Sequence, residues 1–127
     1  MSKYGNKRTV VDGITFDSKR EAQRYQELKL MEHAGEIFNL EIQPKFELIP
    51  KFTATSGENR RAVTYTADFR YRTSRVQFPG EEFEVTELLE DVVEDVKSPA
   101  TAKDKAYIIK RNMFEYQNPG ILFREVL

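Results

Sequence analysis

The chain has 127 residues, enough for one domain with one core. It has no cysteine and a single histidine, which excludes disulfides, thiolate zinc sites, cysteine nucleophiles and histidine-rich metal centres. The formal charge of −1 hides an uneven distribution: eight acidic residues and no basic one lie between Glu81 and Asp95, and setting these aside leaves 20 basic residues against 13 acidic ones. A basic body around an acidic focus fits nucleic-acid binding around a metal site, and equally a solvated acidic hairpin on an ordinary surface.

In chain order, residues 1–15 read as a basic N-terminal arm or a small hairpin. Thr9-Val10-Val11 and Ile14-Thr15-Phe16 flank the turn residues Asp12-Gly13. Ser18 and Glu21 form a capping-box pattern. Ala22, Tyr25, Leu28 and Met31 then recur at helical spacing, and Gly35 is a natural stop. The pattern predicts a helix over 18–34, with His33 on the surface near its end. Residues 39–50 predict one strand interrupted by Pro44, and 53–59 a polar loop. Val63, Tyr65, Ala67, Phe69 and Tyr71 alternate with polar residues, which predicts a strand with Asp68 at its middle on the polar face.

Residues 74–88 form an acidic insert, with a turn expected at Pro79-Gly80 and a short strand near 83–86. A strand follows over 90–97. Thr101, supported by Asp104, is expected to cap a second helix whose apolar stripe is Ala102, Ala106, Ile109, Met113 and Tyr116. Tyr107 and Phe114 are expected to pack. Asn118-Pro119-Gly120 ends that helix, and 121–126 reads as a last strand. Residues 39–72 suggest an antiparallel pair. The strand–helix–strand passage from 90 to 126 suggests a parallel crossover. The expected class is α/β, a mixed central sheet flanked by helices in a single domain.

Chemistry concentrates in three places. The side-chain period of a strand is two, so Asp95 and Lys97 face the same way and Val96 the other. Asp68 lies on the preceding strand, where pairing with Arg70 or Lys97 is the bland alternative. Glu21 lies on the first helix, where capping alone also explains it. Two carboxylates suit a hard cation such as Mg²⁺, and a nearby lysine can orient a water or offset developing charge. Glu94 is the rival to Asp95, but it and Lys97 would face opposite ways. Lys103, Lys105, Lys110 and Arg111 are candidate phosphate contacts or simply a solvated helix face. No apolar run approaches membrane-spanning length and the opening residues form no signal peptide, so a cytoplasmic protein of the host cell is expected.

This order of elements, with Phe16 to Ala22, Leu40 to Phe46 and Glu94-Asp95-Val96-Lys97 in these places, resembles the PD-(D/E)XK nuclease superfamily over about residues 16–126. It is more closely similar to a small phage-encoded family labelled uncharacterised or putative endonuclease, akin in organisation to Holliday-junction resolvases. The resemblance implies a restriction-endonuclease-like αβββαβ core and an endonuclease dependent on Mg²⁺ or Mn²⁺. It implies Asp68 and Asp95 as the main metal ligands, with the Val96 carbonyl and Glu21 as further ones, and Lys97 as the residue assisting the water. Gln43 looks like a glutamine of related nucleases, with an accessory role. DNA is the implied partner, branched DNA the implied substrate, and a homodimer would make the two cuts that a junction requires. Ala67 stands where the superfamily motif has proline. The alternatives are a non-catalytic DNA-binding accessory protein on the same fold, or a structural phage protein without DNA.

Overall fold

The computed structural model describes residues 8–77 and 86–127, with side chains omitted at 75–77 and 86–88. The polypeptide begins with the hairpin β1 (Thr9–Val11) and β2 (Ile14–Phe16), followed by helix α1 (Lys19–His33). Strands β3 (Ile37–Ile42), β4 (Lys45–Ile49), β5 (Phe52–Thr53), β6 (Asn59–Arg60), β7 (Val63–Thr66), β8 (Phe69–Gln77) and β9 (Thr86–Val96) come next. Helices α2 (Pro99–Ala102) and α3 (Lys105–Gln117) and strand β10 (Ile121–Val126) complete the chain. Among the described residues no helix is long and apolar enough to cross a membrane.

The central sheet has the order β10-β9-β8-β3. Strands β9 and β10 are parallel, and the β3–β8 and β8–β9 pairs are antiparallel. The sheet is therefore mixed. Its strands and the two long helices follow one another as helix, three strands, helix, strand.

One sheet face packs on α1, which buries Ala22, Tyr25 and Leu28 against Phe16, Ile37, Phe69, Tyr71 and Val92. The other face packs on α3 and the β4–β7 ladder through Leu48, Tyr65, Ala67, Val93, Tyr107 and Phe114. Phe114 sits 4.5 Å from Phe46 and 5.6 Å from Tyr65, ring centre to ring centre.

Local chemistry sets the element ends. Ser18 accepts the Glu21 N–H at 3.1 Å, and the Glu21 carboxylate accepts the Asp17 N–H at 2.9 Å, so the first turn of α1 is capped in both directions. Gly35, at φ 76°, ends that helix in the left-handed region, where lack of a Cβ costs least.

Four expectations need correction. The span 39–50 is not one strand: Gln43 turns the chain at φ 54° and Pro44 lacks the N–H that would continue the ladder, whereas Asn39, at φ 58°, is absorbed as a bulge within β3. The strand predicted over 63–72 also breaks, at Ala67-Asp68, level with the first break. Strand β3 therefore pairs with β8 while β4 pairs with β7. Asp68 lies at the break, not mid-strand. At the second helix, Ser98 caps α2 in a capping box with Thr101, and Asp104 caps α3 by accepting the Tyr107 N–H at 3.1 Å.

The fourth correction concerns the buried stripe of α3. Tyr107 and Phe114 carry it, while Ile109 and Tyr116 are exposed at 59% and 89%. The aromatic rings reach the core with Met113 of the expected stripe packed beside them, and Ala106, Ile109 and Tyr116 stay outside. The turn and short strand expected at 79–85 lie outside the described residues. The flanking 74–77 and 86–88 extend the β8–β9 ladder, with Gln77 opposite Thr86.

Candidate metal and active site

Three acids from three elements meet beside the double break. Asp68 is fixed by its backbone: its C=O accepts the Gln43 N–H at 2.9 Å and its N–H donates to the Glu94 C=O at 3.2 Å. The same N–H reaches Asp95 Oδ1 at 3.2 Å. In return, Asp68 Oδ2 accepts the Val96 N–H at 2.7 Å. Strand β9 thus grips Asp68 by three consecutive residues, Glu94, Asp95 and Val96. Asp95 is 1% exposed and points to the α3 side, where the Tyr65 hydroxyl donates to its Oδ2. Glu21 arrives from the first turn of α1 and stands beside Asp68.

Gathering carboxylates in a buried place makes each harder to ionise. Asp68 is pushed up to about 10, first by burial, then by the neighbouring Glu21 carboxyl and the Asp95 charge; the Val96 N–H acts the other way. Burial also raises Asp95, opposed by the Lys97 charge and the Tyr65 and Asp68 donors. Lys97, half-buried, places its Nζ 4.5 Å from the centre of the Tyr107 ring, a cation–π contact. The Tyr107 hydroxyl donates to Glu125 at 2.6 Å, which holds the ring in place.

Glu94 points the other way. It is fully buried on the α1 side, where Arg24 donates to its two oxygens at 2.8 Å each and the Tyr71 hydroxyl also donates to it. The choice between Glu94 and Asp95 therefore falls to Asp95 as the acid beside Asp68. Asp91 is likewise committed, to Arg70 at 2.7 Å and 3.1 Å. Of the acidic run, Asp91 and Glu94 go to separate ion pairs and Asp95 to the cluster.

Of the remaining candidates, Val96 contributes its N–H to Asp68, and its side chain packs toward the α1 core. Gln43 is exposed; its backbone holds Asp68 and its side chain donates to the Thr15 C=O at 3.4 Å, tying β2 to the break. Lys103 and Lys105 are exposed and Lys110 is half-buried. Arg111 donates to Glu125 at 3.2 Å and stacks 5.6 Å from the Tyr107 ring centre. These basic residues lie on α3 and just before it, apart from the acid cluster in sequence.

Sequence reasoning did not single out Tyr65 and Arg24. Strand alternation puts Tyr65 on the buried face with Ala67, and helical spacing puts Arg24 one turn after Glu21. Neither pattern reveals that the hydroxyl meets Asp95 or the guanidinium meets Glu94.

The donors suit a hard divalent cation, since all are carboxylate oxygens and their mutual repulsion in a buried place is what such a charge would relieve. Among the described residues, no three acidic or histidine side chains are already arranged around one point. Asp68 and Asp95 are instead satisfied by N–H and O–H donors, each carboxylate oxygen keeping a further lone pair.

Fold and site together define a mixed α/β protein with a buried carboxylate cluster at a strand break. Residues 1–126 match the family described as "Protein of unknown function (DUF1064)", and the chain belongs to that family. No curated protein and no solved structure matches it.

Proposed function

We propose that the protein is a metal-dependent endodeoxyribonuclease, of phage origin, that hydrolyses phosphodiester bonds in branched recombination or replication intermediates. The observation that carries this reading is the meeting of Glu21, Asp68 and Asp95 at one strand break, with Lys97 two residues beyond Asp95. The helix–three-strand–helix–strand order accords with the core of the PD-(D/E)XK nucleases.

In this reading Asp68 and Asp95 hold Mg²⁺ or Mn²⁺, with Glu21 and the Val96 carbonyl as further oxygen donors. Such an ion, when bound, offsets charge on the phosphoryl oxygens and lowers the pKa of water. The protein's own part is positional. The Asp68–Asp95 and Asp68–Val96 hydrogen bonds fix the two carboxylates relative to each other, which limits reorganisation during reaction. The Lys97 ammonium, steadied over Tyr107, directs the attacking water by donating an N–H hydrogen bond to its oxygen. The water oxygen would form the new bond to phosphorus as the bond from phosphorus to the bridging oxygen breaks, the water's proton passing to solvent and the leaving oxygen taking one from solvent to become a hydroxyl. Lys103, Lys105 and Lys110 offer phosphate contacts along the strand, and a homodimer supplies the second cut.

Cleavage of four-way junction, flap and linear duplex DNA in Mg²⁺, compared with an Asp95→Asn variant, tests the reading. Metal-dependent cutting by the parent alone supports it, and equal cutting by both proteins removes the site.

A second reading, a DNA-binding accessory protein on the same frame, draws on a specific observation: protein donors already satisfy both Asp95 oxygens. It predicts salt-sensitive DNA binding without Mn²⁺ uptake, which calorimetry separates from the first.

A further inference from the structure

We propose that Arg24 and Glu94 are positioning residues, a clamp that sets α1 on the sheet so that Glu21 stands beside Asp68. The inference rests on the reading that Glu21 belongs to the site.

The chain of contacts is short. Glu94 and Asp95 are neighbours on β9 and point to opposite faces, as strand geometry demands. Glu94 holds the break directly, through its C=O and the Asp68 N–H at 3.2 Å. Its carboxylate holds α1, through two parallel bonds of 2.8 Å from Arg24. Arg24 lies three residues after Glu21, on the same side of the helix. One residue of β9 therefore fixes the elements carrying Asp68 and Glu21, while the next residue supplies the third acid.

The pair is built for orientation. A planar guanidinium on a carboxylate in two-point contact fixes both distance and angle, which a lysine cannot do. The Glu94 side chain is fully buried and that of Arg24 is 13% exposed. Burying such charges is a poor way to gain stability but a good way to specify one arrangement. The Tyr71 hydroxyl donates to Glu94 and Arg24 also reaches Glu27 at 2.9 Å, so neither partner is free to swing.

The test uses Arg24→Lys, which keeps the charge and loses the two-point contact, and Glu94→Gln, which keeps the shape and loses the charge. Met31→Ala, which removes core packing at the far end of α1 and leaves the clamp intact, is the control for general loosening. Crystal structures of both clamp variants should show the Glu21 carboxyl displaced from Asp68 by roughly 1 Å or more. Displacement of that size commonly lowers kcat about 100-fold. Mn²⁺ affinity by calorimetry should weaken about 10-fold in the clamp variants and hold in Met31→Ala. Glu21 unmoved in both clamp variants overturns the proposal, as does an equal loss of Mn²⁺ affinity in the control. If the parent protein neither takes up Mn²⁺ nor cuts DNA, the nuclease reading falls, and the crystallographic position of Glu21 still decides the clamp.

Discussion

The backbone N–H of Asp68 donates to the Asp95 carboxylate at 3.2 Å, tying the strand break to β9. The bond holds two acids close in a setting that disfavours ionising both. Asp95→Asn retains an oxygen that can accept this N–H and places an amide against the Tyr65 hydroxyl. The variant should fold with a melting temperature within a few degrees of the parent, since a buried charge is removed. Metal-dependent DNA cleavage should fall by about 100-fold or more. Melting by circular dichroism and single-turnover cleavage check both parts.

The raised proton affinity of Asp68 makes a pH prediction with a definite sign. Its carboxyl holds a proton up to about 10 in the folded protein against 3.8 as the reference value. Between those values the folded state binds more protons than the unfolded one, so this residue's contribution to stability falls as pH rises. Asp68→Asn should flatten that fall and stabilise the protein at neutral pH. Thermal melts from pH 5 to 9 on both proteins give the comparison, and Mn²⁺ added at pH 8 should raise the melting temperature of the parent only.

Glu21 serves two purposes, capping and catalysis in the proposed reading, and substitutions separate them. Ser18→Ala removes the acceptor for the Glu21 N–H and should cost about 1 kcal/mol of stability. Glu21→Gln keeps an oxygen for the Asp17 N–H and should cost less, yet lower Mn²⁺ affinity. Urea unfolding and calorimetry distinguish the two.

Phe114 is fully buried among Phe46, Tyr65 and Phe123. Phe114→Ala should cost about 3–5 kcal/mol, read from the denaturation midpoint, because the surrounding rings cannot collapse into the space. The cluster also carries Tyr65, so the hydrogen bond to Asp95 should loosen with it.

If α3 meets DNA, Lys103→Ala and Lys105→Ala should each lower the slope of log affinity against log salt by about 1. Arg111→Ala should change the slope less and stability more, because its guanidinium already serves Glu125 and Tyr107. Fluorescence anisotropy at four salt concentrations resolves the difference.

Periodicity made much of this fold legible. The Ala22–Tyr25–Leu28 spacing marked α1 and its buried face, and Gly35 marked its end. The alternation of Asp95, Val96 and Lys97 told which of two adjacent acids faces Asp68. What could not be read was tertiary. Two breaks at one level, Gln43-Pro44 and Ala67-Asp68, appear only when the strands are set side by side, because each segment alone keeps a strand-like pattern. The α3 stripe failed for a related reason: small and aliphatic residues at helical spacing outnumbered the aromatic pair Tyr107 and Phe114, whose volume fills the core. The role of Arg24 leaves no local signal because its partner Glu94 is distant in sequence.

The double break has one more consequence. Strands β4 and β7, with the β5–β6 tip beyond them, leave the main sheet as a flap that packs on α3 through Leu48 and Tyr65 and is joined at its root by the Gln43–Asp68 and Ala67–Pro44 backbone bonds of 2.9 and 3.0 Å. Asp68 stands at that root. Whatever grips its carboxylate also stiffens the flap, so occupancy of the site should be legible at a distance, as slower amide hydrogen exchange along residues 45–66.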